Sequence, residues 1–134
     1  MQRQNFFIVT AAGEGATGIV LLVAPGAMLS LLLGASQPLA ETLVATRIAG
    51  AALVALGIAC WLARRDQPTP SQTGLLYGML FYDAAAALLL TLAGIRWTAG
   101  GIGLWPAVAL HSALGVWCLA SLATHSRLSA ANNH

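Results

Sequence analysis

Four stretches of this chain are each about as long as a lipid bilayer's hydrocarbon layer is thick, and almost free of charge: Phe6 to Val23, Leu43 to Ala63, Gly74 to Ile95 and Leu104 to Ala123. A helix rises about 1.5 Å per residue, so roughly 20 apolar residues cross a layer of about 30 Å. Lipid offers backbone N–H and C=O groups no partner, so such runs must be helical. They are too continuous for the apolar–polar alternation of a barrel strand. Composition agrees, because 134 residues that are 58% hydrophobic and 7% charged cannot bury that surface in one small core. The expected fold is an all-α, polytopic four-helix membrane bundle forming one domain over residues 1–134.

The breaks between spans fit this division. APG at Ala24 to Gly26 ends the first span, and RRDQPTPSQT from Arg64 to Thr73 is the polar turn between the second and third. Met28 to Leu33 is apolar but too short to cross, so it is expected at the interface or against the bundle. GGIG at Gly100 to Gly103 reads as a loose outer turn, and SRLSAANNH as a short polar tail.

Arginine placement sets the expected orientation. With both termini inside, Arg3, Arg64, Arg65 and Arg127 face the cytoplasm while Arg47 and Arg96 face away. Trp97 and Trp105 then sit at the outer interface and Trp61 at the inner one. Glu14 interrupts any apolar core of a cleaved leader, so the first span is read as retained. The expected location is a bacterial inner membrane. A net charge of +2, with no basic run, gives nucleic acid nothing to bind.

The costly residues are the ionisable ones inside the spans, each worth at least about 2.5 to 3.5 kcal/mol in lipid and therefore expected to face the bundle interior. Glu14, in the run FFIVTAAGEGATGIVLLVAPG, lies roughly 13 Å deep, and Asp83 roughly 15 Å deep from the same side. Arg47, near the outer end of the second span, and His111, two turns inside the fourth, are the candidate cationic partners. Thr10, Glu14 and Thr17 share one helix face. Ala11, Gly15 and Gly18 make an adjacent small-residue stripe, and Arg47, Gly50, Val54 and Gly57 another. The expectation is an internal cluster of Glu14, Arg47, Asp83 and His111, with Tyr82, Thr17 and Thr10 as hydrogen-bond support.

Two readings of that cluster stay open. A structural one pairs Arg47 with one carboxylate, keeps the other neutral and ties helices together. A functional one makes it a proton-accepting, ion-binding or headgroup-binding site. His111, Cys118 and His125 recur at sevens on the fourth span, but neighbours in that series are about 10.5 Å apart along the axis, too far to share a metal. Haem held by histidines of two helices is excluded within one chain for lack of histidine in the first three spans. Cys60 and Cys118 read as small core residues. No phosphate loop, nucleophile elbow or HExxH motif occurs, and no nucleophile has an oriented base beside it, so catalysis is not expected.

The succession LLVAPGAMLSLLLG, RIAGAALVALGIACWLAR, YDAAAALLLTLAG and WPAVALHSALGVW resembles the DoxX-type small four-helix bacterial membrane proteins. The resemblance covers most of the chain and rests chiefly on Arg47 to Gly50 and the glycine- and leucine-rich helices. It implies a compact four-helix bundle and, in some members, a subunit associated with quinone-linked oxidation. The expected function is a non-catalytic binding or accessory subunit for a quinone- or lipid-like molecule, in the bilayer and as a homo-oligomer or part of a larger complex. The alternative is a small oligomeric proton-coupled transporter or channel.

Overall fold

The structure, a computed structural model, describes residues 2–65, 69–96 and 100–131, with side chains undescribed at Gln2 and over 124–131. Its elements are five helices: α1 Gln2–Val23, α2 Pro25–Leu33, α3 Ala40–Ala63, α4 Pro70–Arg96 and α5 Leu104–Ala131. Four are long and apolar enough to cross a membrane, over Arg3–Val23, Ala40–Ala63, Pro70–Arg96 and Leu104–Ala123. No strand occurs among the described residues. The all-α four-helix bundle expected from the apolar runs is therefore the observed fold.

α1, α3 and α4 start three or four residues before their apolar runs while α5 starts at Leu104 itself, and at α4 capping chemistry, not apolarity, sets the start. Thr69 accepts the Gln72 backbone N–H on its hydroxyl at 3.1 Å, and Pro70 occupies the first helical position. Proline has no N–H to leave unsatisfied there. Pro25 acts in the same way between α1 and α2: it cannot extend α1, so the chain turns at Ala24 and restarts as a separate short helix. That helix closes at Gly34, whose φ of 70° is the left-handed conformation glycine adopts without strain and whose N–H bonds the Ser30 carbonyl.

The spans pack as two close pairs, α1 with α3 and α4 with α5. In the first pair, a Cβ on Gly18 would stand 2.6 Å from the Gly50 carbonyl oxygen, and one on Gly57 would stand 3.1 Å from the Ala11 carbonyl oxygen. The two small-residue stripes thus face each other, which brings backbone against backbone. At the end carrying both termini the pairs are joined by a core of Phe6, Phe7, Leu76, Met79, Leu114 and Cys118. Phe6 meets Trp117 edge-on at 5.8 Å. Large apolar side chains such as Ile19, Ile48, Phe81 and Ile95 point outward, as a lipid solvent allows.

A polar lock sits beside that core. Gln72 is buried; its Nε2 donates to the Ala63 carbonyl at the end of α3, and its Oε1 accepts from Arg3 at 3.4 Å. Arg3 Nε also donates to the Ser121 carbonyl on α5. One arginine and one glutamine therefore connect all four spans, and Gln72 satisfies the Ala63 carbonyl, which lacks an intrahelical partner at the end of α3. At the opposite end α2 folds over the bundle, and the Gly103 N–H donates to the Leu31 carbonyl at 2.9 Å.

GGIG is accordingly not a loose turn. A Cβ on Gly101 would lie 2.1 Å from the Leu31 carbonyl oxygen, so the α4–α5 connection is fitted closely against α2. Arg64 stacks 3.6 Å over the half-exposed ring of Trp61 and bonds that residue's carbonyl. Trp105 is also exposed. Trp97 and the side chains of His125 and Arg127 lie outside the described residues.

Candidate functional site

Midway along the bundle, between the aromatic core and the α2 end, the buried ionisable groups meet. Asp83 is wholly buried on α4, and its Oδ1 lies 2.9 Å from His111 Nδ1 on α5, the ring nitrogen donating to the carboxylate. Gly115, one turn beyond His111, packs beside Asp83: a Cβ there would stand at an ordinary contact distance, 3.7 Å, from Asp83 Cβ. Glu14, 4% exposed on α1, lies beside the Tyr82 side chain. Tyr82 also meets His111 edge-on, ring centres 5.4 Å apart. Successive residues on a helix point about 100° apart, which lets Tyr82 serve α1 while Asp83 serves α5.

Ligand atoms of Glu14, Asp83 and His111 all lie within 4.8 Å of one another. Three helices from both packed pairs thus converge on one polar point. Asp83 Oδ2 is buried and has no hydrogen-bond partner among the described residues, and neither has the Thr10 hydroxyl one turn before Glu14. Buried polar atoms nearly always find a partner, so each such atom calls for an explanation.

Arg47 does not belong to this cluster. Its side chain is exposed, and its Nε donates to the Leu22 carbonyl at 3.2 Å. The last carbonyls of α1 have no intrahelical partner, and a nearby guanidinium satisfies one of them at far lower cost than a charge carried to the bundle centre. Thr10 supplies no hydrogen bond to the cluster either. Of the expected set, the structure brings together Glu14, Asp83, His111 and Tyr82.

Thr17 lies one turn further along α1 and lines a cavity of about 660 Å³ between the helix pairs. Tyr82 and His111 also line it. Its other walls are apolar side chains of all five helices, among them Leu53, Leu89 and Leu110, with Met28 and Leu31 of α2 at the far end. Counted along each helix, the three polar residues occupy the end nearest the bundle centre. The cavity is therefore an apolar chamber with a polar floor, and behind that floor stand Asp83, bonded to His111, and Glu14, beside Tyr82.

The apolar runs alone do not disclose that α2 lines one end of the chamber, nor the Arg3–Gln72 lock. The signals were present: an apolar helix too short to span needs somewhere to bury its face, and Gln72 falls three residues after a Thr-Pro helix start.

Comparisons with family models, with curated proteins and with solved structures find no match for this chain.

Proposed function

We propose that this chain is a non-catalytic binding or accessory subunit that holds a quinone- or lipid-like molecule within a membrane, its polar head on His111 and Tyr82 and its apolar body in the chamber above. The observation that carries this reading is the chamber's shape and lining: about 660 Å³, apolar save for Thr17, Tyr82 and His111 at one end. Ligand sites of this size that bury most of a small molecule typically combine apolar walls with a few convergent polar groups. His111 is suited to the headgroup because Asp83 engages Nδ1 and fixes the ring, so Nε2 is the nitrogen left for a carbonyl, hydroxyl or phosphate oxygen.

The proposal places the protein in a bacterial inner membrane with both termini in the cytoplasm, on the arginine distribution, and as a homo-oligomer or part of a larger complex. The DoxX-type resemblance points the same way. Purification in mild detergent followed by mass spectrometry of the extract tests the ligand. A defined quinone or lipid enriched over the bulk membrane is expected, and Leu53→Trp, at a buried position of the chamber wall, should abolish it. An extract matching bulk lipid in parent and variant alike would end this reading.

The pairs Tyr82–Glu14 and Asp83–His111 also favour a second reading, proton coupling, since they align proton-bearing groups from three helices at mid-bundle. Proton flux in liposomes that disappears with Asp83→Asn would select it.

A further inference from the structure

We propose that Glu14, Asp83 and His111 form a binding site for one divalent transition-metal ion, with Zn²⁺ as its simplest occupant. This goes beyond the chamber ligand, which needs only the outward faces of His111 and Tyr82.

The first argument is charge. Two carboxylates stand close together in a bundle surrounded by lipid, where unneutralised charge is expensive. The chain contains no lysine, and among the described residues no arginine reaches them: Arg47 bonds the end of α1, Arg3 bonds Gln72 and Ser121, Arg64 bonds Trp61, and Arg65 and Arg96 are exposed. A divalent ion with two carboxylates and a neutral imidazole sums to zero. No arrangement of the described arginines does this.

The second argument is the orphaned oxygen. Asp83 is 0% exposed, and its Oδ2 has no hydrogen-bond partner among the described residues, in the carboxyl group that already faces His111. A buried carboxylate oxygen left unbonded normally costs free energy, and a metal–oxygen bond removes that cost. The three residues come from α1, α4 and α5, with Tyr82 beside Glu14 and His111 Nδ1 2.9 Å from Asp83 Oδ1.

Donor chemistry narrows the ion. One imidazole nitrogen and two carboxylate oxygens are too few for Ca²⁺, which takes six to eight oxygens, and Mg²⁺ has little use for nitrogen. Zn²⁺ accepts three N and O ligands and a fourth from elsewhere. Zinc–ligand bonds near 2.1 Å put tetrahedral ligand atoms roughly 3.5 Å apart, so the widest pair, within 4.8 Å, closes by no more than about 1.3 Å. Rotation about the Glu14 side-chain torsions covers that distance. Binding releases whatever protons the three donors carry and replaces the bond between His111 Nδ1 and Asp83 with bonds to the metal.

The experiment uses the full chain in detergent, stripped with chelator and titrated with Zn²⁺ by calorimetry and by following the unfolding temperature. One equivalent bound, with a rise in unfolding temperature, is expected. Asp83→Asn and Glu14→Gln, both near-isosteric, should lose the equivalent and the rise. Zinc bound equally by the parent and the folded variants would assign it elsewhere, to His125 or His134 for example, and overturn the proposal. So would the absence of stoichiometric binding by folded parent protein. Should neither variant fold, the zinc-edge absorption spectrum of the loaded parent decides. One imidazole with oxygen neighbours supports the site, whereas sulfur or several imidazoles refutes it. Retention or loss of a copurifying lipid is read separately, so failure of the metal site leaves the chamber reading standing, and the converse holds.

Discussion

Replacing Gly18 by alanine adds one methyl group, and the structure says where it must go. The new Cβ would stand 2.6 Å from the Gly50 carbonyl oxygen, 2.8 Å from the Val54 backbone nitrogen and 2.9 Å from Val54 Cγ2. Two of these are backbone atoms of α3, so no side-chain rotation relieves the contact. An ordinary carbon–oxygen approach is near 3.3 Å, so α1 and α3 must part locally by about 0.7 Å. Packed interiors resist this, and one misplaced methyl costs about 1 to 3 kcal/mol. The control lies on the same helix: a Cβ on Gly13 meets nothing within 4 Å, so Gly13→Ala escapes that cost and gains up to about 1 kcal/mol of helix propensity. Reversible unfolding in mixed detergent micelles, measured for both variants against the parent, gives the comparison. Equal stability of Gly18→Ala and Gly13→Ala would refute the close α1–α3 packing, since composition and helix are shared and only the neighbouring backbone differs.

Three further outcomes concern the polar groups and the α2 end. His111→Leu, which leaves Asp83 unpaired, should destabilise the bundle by about 3 to 5 kcal/mol, and adding Asp83→Leu should recover most of it; Arg47→Leu should cost no more than one hydrogen bond, about 1 kcal/mol, and a larger effect in the same unfolding assay would place Arg47 back at the bundle centre. Gly101→Ala sets a Cβ 2.1 Å from the Leu31 carbonyl oxygen, so hydrogen exchange at the Gly103 amide, which bonds that carbonyl, should speed up while exchange at the aromatic core stays slow. Unchanged exchange at Gly103 would show that α2 is not held there.

Most of the fold was readable because lipid leaves the chain so few options. Four apolar runs of spanning length must be four helices, and the stripes Ala11–Gly15–Gly18 and Gly50–Val54–Gly57 can only be small for a reason of close approach. Their mutual contact is what Gly18 and Gly57 show. Helix starts were less readable, because hydropathy does not register Thr69 and Pro70, which are polar or neutral yet decide where α4 begins. The depth of Glu14 and Asp83 follows from counting residues, and the cost of exposing them to lipid dictates that they turn inward. Their choice of partner does not follow from counting.

Arg47 shows why. Charge complementarity alone sends the arginine toward the two carboxylates, and that was the reading of the sequence. Position along the span says something different: Arg47 stands near the end of α3 that lies beside the end of α1, where carbonyl groups are left open by the break at Pro25. A guanidinium there meets an acceptor without leaving the polar boundary, whereas reaching Glu14 means carrying a charge down past Gly18 and Gly50, where backbones touch and no side chain fits. The same glycines that bring α1 and α3 together close the route. Glu14 is left to the other helix pair, and Tyr82, Asp83 and His111 are the groups that pair presents. A pair of close-packed helices can therefore decide the electrostatics of a site by excluding a counter-charge as effectively as by supplying one. Gly18 and Gly50 determine the composition of the polar centre without touching it.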